Sequence, residues 1–110
     1  MTDTRWTSCD LIFFDCDSTL SAIEGIDELA RFKGKRLAAI RPTRGQLKAI
    51  ETRYAETIVP DADAVIAALH FLGRHVFIIS GGLADPVRGF GARLGVPAER
   101  IRAVDLEYDE

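Results

Sequence analysis

The chain has 110 residues, 47% of them hydrophobic and 28% charged, with 14 basic and 17 acidic side chains and a formal charge of −3. This length suits one domain with a modest core, and the composition excludes a disordered chain. The mildly acidic balance argues against a nucleic-acid binder with a basic face, two cysteines cannot build a disulfide scaffold, and no apolar run nears the roughly 18 residues of a membrane span.

The first ten residues lack the pattern of a signal peptide, so the expected setting is the reducing cytoplasm. The first element is Leu11–Phe14, four apolar residues that read as a short strand buried on both faces. It runs directly into Asp-Cys-Asp-Ser-Thr. Ser21 and Glu24 then stand at capping-box spacing, with Ile23, Ile26 and Leu29 or Ala30 at helical intervals and Gly34 as a stop. Thr43 and Gln46 repeat the capping-box signal, and Leu47, Ile50 and Tyr54 follow on one helical face. A third helix is predicted from near Pro60 or Asp61, with Val65, Ala68, Leu69 and Leu72 on its apolar side and Gly73 at its end. Val76–Ile79 read as a second buried strand, which runs into Ser80-Gly81-Gly82. Val87, Phe90 and Leu94 fall at i, i+3 and i+7, a fourth helix closed by Gly95. A third, weaker strand is expected over 101–106.

Strands alternating with helices define an α/β class. Right-handed crossovers predict a parallel sheet with helices on both faces. Ligands of such sheets bind at the carboxyl ends of the strands. Two of the three strands here end in conspicuously polar or glycine-rich residues.

Asp15 and Asp17 lie two apart, so on an extended segment both carboxylates point to the same side. Such crowding is relieved by a hard cation such as Mg²⁺ between them. One carboxylate can also serve as a nucleophile and the other as general acid and base. Thr19 is placed to order the turn with its hydroxyl. A plain polar turn after a strand explains the same residues. Ser80 and the glycines after it offer a hydroxyl and backbone N–H groups at a strand end, the makings of a phosphate cradle. A tight turn needing glycine is the bland alternative. Cys16 has no histidine near it in sequence and is not read as a nucleophile. His70 and His75 read as surface or helix-end residues.

Together FFDCDSTL and FIISGGL resemble motifs I and II of the haloacid-dehalogenase-like (HAD) phosphatases. The continuation SAIEGIDELARFKGK is similar in particular to phosphoserine phosphatases and their close relatives. The resemblance covers Leu11 to about Lys35 and roughly Pro60 to Asp105. It implies a partial Rossmann-like core with about three parallel strands. It implies a Mg²⁺-dependent phosphomonoester hydrolase acting on a small phosphorylated metabolite such as O-phosphoserine through an aspartyl-phosphate. Carried over, Asp15 would be the nucleophile and a Mg²⁺ ligand. Asp17 would be the general acid and base and would bind the metal through its backbone carbonyl. Ser80 and Gly81 would hold the phosphoryl group. Glu24 would take the substrate amino group, besides its capping reading. Arg36 would take the substrate carboxylate, although a solvated helix charge is the simpler reading.

The same resemblance expects a larger helical cap than the stretch over about 34–59 supplies. It also expects a lysine and further acidic ligands from two later motifs that have no counterpart before Glu110. Residues 1–110 therefore read as one HAD-like domain with a reduced cap and a truncated C-terminus, and Asp105, Glu107, Asp109 and Glu110 read as a solvated tail. An open edge at Leu11–Phe14 and an uncovered apolar face would then favour dimerisation or poor solubility. A non-catalytic phosphate- or metal-binding fragment and a phosphotransferase are the competing readings.

Overall fold

The computed structural model describes residues 10–25, 27, 28 and 42–105. In chain order the elements are β1 (Leu11–Phe14), α1 (Arg44–Glu56), α2 (Ala62–Phe71), β2 (His75–Leu83), α3 (Ala84–Arg93), a 3₁₀ turn (Ala98–Arg100) and β3 (Ile101–Val104). The strands form one sheet in the order β1-β2-β3, all parallel. Leu11 pairs with His75 and Phe14 with Ile78, while Ile78 pairs with Ile101. Of the helix expected after Ser21, the described residues Gly25, Asp27 and Glu28 are helical; Gly34, Arg36 and the expected cap as far as residue 41 lie outside the described residues, and the remainder of that stretch, 42–59, holds α1.

Among the described residues the helices pack on one face of the sheet, where both faces were expected to be covered. A strand order that advances in one direction places every right-handed crossover on the same face. One face is accordingly dry: Val76, Ile78 and Ile101 are fully buried against Ile66 of α2 and Val87 and Phe90 of α3. On the other face Leu11 is 54% exposed, Phe13 55% and Ile79 54%. β1 is thus half-buried on one face, at Ile12 and Phe14, and exposed on the other, contrary to the reading of its four-residue apolar run. An apolar run shows that both faces are greasy; it does not show what covers each one.

Local signals explain most of the helices. Thr43 accepts from the Gln46 N–H at 3.1 Å, and the Gln46 side chain accepts from the Thr43 N–H at 3.0 Å. This is the capping box expected for α1, and it satisfies two backbone donors at the helix start. Leu47, Ile50 and Tyr54 are buried as their spacing predicts. α3 buries Val87 and Phe90, and Leu94 at its C-cap is buried with them, again as expected. Gly73 and Gly95 adopt φ of 77° and 84°, left-handed conformations that end the helices before them at little steric cost.

α2 departs from its predicted face. Its buried residues are Ala62 and Ile66, with Leu69 packed against the core, while Val65, Ala68 and Leu72 are exposed. The segment is apolar nearly all round, so spacing alone could not choose the stripe that meets the sheet. α1 and α3 are tied by buried Glu51, whose Oε2 lies 3.1 Å from both Lys48 Nζ and Arg93 Nη2. Gly89 on α3 leaves the space that this carboxylate fills.

Candidate active site

The candidate site forms at the carboxyl ends of β1 and β2. After Phe14 the chain leaves the sheet at Asp15, which is exposed, and Asp15 Oδ1 accepts the Cys16 N–H at 2.7 Å. The carbonyl of Cys16 accepts from the N–H groups of Thr19, Leu20 and Ser21, which closes the turn. Ser18 sits at the corner with φ of 60°, an uncommon conformation for a residue with a side chain. Its N–H donates to the Ile23 carbonyl at 3.2 Å.

Asp17 is buried, and both of its oxygens have protein donors. The Tyr54 hydroxyl donates to Oδ1 at 2.7 Å and the Gly25 N–H donates to Oδ2 at 3.0 Å. The crowding of Asp15 and Asp17 is therefore met partly by a phenol and an amide. Burial, then the hydrogen bond to Asp17, pushes the Tyr54 phenol far above its ordinary range, so Tyr54 remains a donor. Burial, then the Asp17 and Asp15 charges, pushes the Cys16 thiol up likewise. A thiol held protonated is a poor nucleophile, in line with the sequence reading.

Ser21 and Glu24 do not form a capping box. The Ser21 hydroxyl is buried and donates to the Tyr54 carbonyl at 2.9 Å, stitching this turn to the end of α1. Glu24 is exposed, and its Oε1 accepts from the Ser18 hydroxyl at 2.6 Å. It stands at the rim of the turn that carries Asp17. The spacing signal was local, whereas the nearby end of α1 offered Ser21 a better-shielded acceptor.

The second segment also differs from expectation. β2 does not stop at Ile79 but continues through Ser80, Gly81 and Gly82 to Leu83. Its pairing slips there: β2 advances from Ile79 to Leu83 while β3 advances only from Arg102 to Val104. Such a bulge re-aims side chains at a sheet end. Ser80 is buried, and its hydroxyl accepts the Gly82 N–H at 2.9 Å. Gly81 is exposed, with open space where a Cβ would sit. Gly82 is the glycine with a steric duty. A Cβ there would lie 3.0 Å from Asp17 Oδ1 and 3.1 Å from both the Ser80 hydroxyl and the Tyr54 hydroxyl. Asp17, Ser80 and Tyr54 thus converge on one point, and two motifs more than sixty residues apart in sequence meet there.

For a divalent metal, the exposed Asp15 carboxylate is the side-chain donor at hand, since both oxygens of Asp17 already accept from protein donors. No group of three His, Cys, Asp or Glu side chains suited to a metal occurs among the described residues. Mg²⁺ commonly takes one or two carboxylates, waters and substrate phosphate oxygens, so this sparse donor set fits a Mg²⁺ shared with a phosphorylated ligand. Tyr54 is the site residue that sequence reading assigned only to the core. A tyrosine in an otherwise aliphatic stripe signals that its hydroxyl has a partner.

No family model matches the chain. Phosphoserine phosphatase of Rattus norvegicus is 30% identical over 125 residues, an alignment that takes in 92% of this chain and 56% of that protein. A phosphoserine phosphohydrolase-like protein from Francisella tularensis superposes with a TM-score of 0.74 at 24% identity, covering 93% of this chain and 61% of that one. A substrate-bound phosphoserine phosphatase complex superposes with a TM-score of 0.69 at 25% identity, covering 93% of this chain and 59% of that one. With its parallel sheet and the paired aspartates after β1, the chain is haloacid-dehalogenase-like in fold. Within that class it is phosphoserine-phosphatase-like. It spans about half the length of the curated relatives it matches.

Proposed function

We propose that this chain carries the nucleophile and the acid–base group of a Mg²⁺-dependent phosphomonoester hydrolase acting on O-phosphoserine or a closely similar small metabolite. The observation that carries the reading is the convergence of Asp17 and Ser80 at Gly82, with the exposed Asp15 two residues before Asp17 in the same turn.

In this reading an Asp15 oxygen attacks phosphorus and the P–O bond to the alcohol breaks. The leaving oxygen takes a proton from Asp17, and an aspartyl-phosphate remains. Water then attacks that phosphorus and gives its proton to Asp17, which frees Asp15 and phosphate. The Ser80 hydroxyl and the Gly81 N–H hold the oxygens of the transferring group, whose spread charge preorganised donors stabilise. Mg²⁺, when bound at Asp15 and the Asp17 carbonyl, supplies charge neutralisation for that group. Glu24 at the rim takes the substrate ammonium and Arg36 its carboxylate. The setting proposed is the reducing cytoplasm, with a small-molecule partner and neither membrane nor nucleic acid. Among the described residues, no helix is long and apolar enough to cross a membrane.

The test is phosphate release from O-phosphoserine with Mg²⁺, run beside Asp15→Asn. Release by the unaltered chain that falls to background in the variant is expected. A folded chain with no release above the variant would replace this reading by phosphate or metal binding without turnover.

A further inference from the structure

We propose that Tyr54 is a positioning residue for the proton transfer, holding the Asp17 carboxyl in the one orientation from which it faces the phosphoryl site. The proposal rests on the hydrolase reading above and adds to it a residue from a different element.

The geometry is specific to the hydroxyl. Tyr54 is fully buried near the end of α1, and its ring lies 5.6 Å from that of Phe90 at 29°. Ring packing of this kind would be served equally by phenylalanine. The hydroxyl, however, reaches out of the core to Asp17 Oδ1 at 2.7 Å. Two glycines make its slot. A Cβ on Gly25 would collide with the hydroxyl, and a Cβ on Gly82 would sit 3.1 Å from it. These glycines belong to the two segments that carry the site, so the slot is built from the site's own backbone.

Clamping follows from counting donors and lone pairs. Each carboxylate oxygen has two lone pairs. The Tyr54 hydroxyl occupies one on Oδ1 and the Gly25 N–H one on Oδ2, so the group cannot rotate without losing a bond at each end. After these two bonds each oxygen keeps a second lone pair, and Oδ1 is the oxygen that shares the space over Gly82 with the Ser80 hydroxyl, so the lone pair that matters is the one on Oδ1. That lone pair is the seat of the proton given to the leaving oxygen and later taken from water. Tyr54 keeps its own proton throughout, touches no substrate atom, and acts through Asp17 by fixing where the transferred proton sits.

The test is Tyr54→Phe, which keeps the ring and its packing. It is read as leaving-group release in the first turnover from two substrates. O-phosphoserine releases an alkoxide that needs a proton; 4-nitrophenyl phosphate releases a phenolate that does not. A loss of roughly 10- to 100-fold with O-phosphoserine is expected, a share of the ~10²–10⁴-fold that general acid–base catalysis supplies. The rate with 4-nitrophenyl phosphate and the KM for O-phosphoserine are expected to stay within about twofold. Equal losses on both substrates, or none on either, would overturn the proposal. A second readout needs no turnover. The amide proton of Gly25 is expected to shift in Tyr54→Phe toward its position in Asp17→Ala, with distant amides unmoved. An unmoved Gly25 signal overturns the positioning role even in an active enzyme. An unaltered chain silent on both substrates overturns the hydrolase reading and the proton-transfer role with it, and the Gly25 signal still decides whether Tyr54 holds Asp17.

Discussion

At the scale of single residues, the site is held by a few groups whose neighbours matter more than their own chemistry. Asp15 and Asp17 have the same side chain, yet one is exposed and the other is buried between a phenol and an amide. Tyr54 and Cys16 are both raised above their ordinary values of 10.0 and 9.0, chiefly by burial. The unfolded chain therefore loses these protons first as pH climbs. The stability they lend is fully present below about pH 9 and is lost as pH rises beyond it, at most about 1.4 kcal/mol per pH unit for each group. Urea midpoints measured from neutral to alkaline pH should stay level and then fall. Tyr54→Phe should soften the fall above the ordinary phenol value, and an unchanged slope in that variant would contradict this account. The aspartate pair and Ser80 were legible in the sequence because their spacing and strand-end setting are unusual. The role of the Tyr54 hydroxyl was not, because nothing local tells a core tyrosine which distant acceptor it meets.

At the scale of elements, local chemistry set the helix ends while packing set the faces. The Thr43–Gln46 box starts α1, the helix that carries Tyr54 and Glu51. Thr43→Ala should cost about 1 kcal/mol of folding stability, the usual loss of an N-cap. Chemical denaturation checks this, and a loss below about 0.3 kcal/mol would mean that tertiary packing alone holds the helix start. Gly73 and Gly95 were readable as stops for the same local reason. The buried side of α2 was not readable, because Val65, Ala68 and Leu72 are as apolar as Ile66 and only the position of the sheet decides between them. The continuation of β2 through Ser80–Leu83 escaped notice because glycines normally weaken a strand. Here pairing with β3 carries the segment past them, with a slip in register at the site.

At the scale of the whole molecule, the one-directional sheet leaves an apolar face open among the described residues. Leu11, Phe13, Ile79 and Val104 stand on it, and Arg100 lies over the Phe77 ring at 5.4 Å. β1 is an edge strand as well, with its outer backbone groups free of any described strand. Exposed edges and contiguous apolar faces favour association. Light scattering on the eluting chain should show a mass that rises with concentration. Phe13→Lys should lower that mass by placing a charge on the face. A monomer at every concentration would show that the face is covered in solution.

The sequence by itself determined the α/β class, the strand cores, most helix ends and the two separate candidate segments after β1 and within β2, because each depends on residues within a few positions of one another. Tertiary structure alone decided which face of the sheet is dry, which side of α2 is buried, and that Ser21 serves the end of α1. It also decided that Tyr54 holds Asp17. Each of these is a contact between segments far apart in the chain. Such contacts follow from the order in which the strands lie side by side, a property of the assembled sheet that no short stretch of sequence encodes.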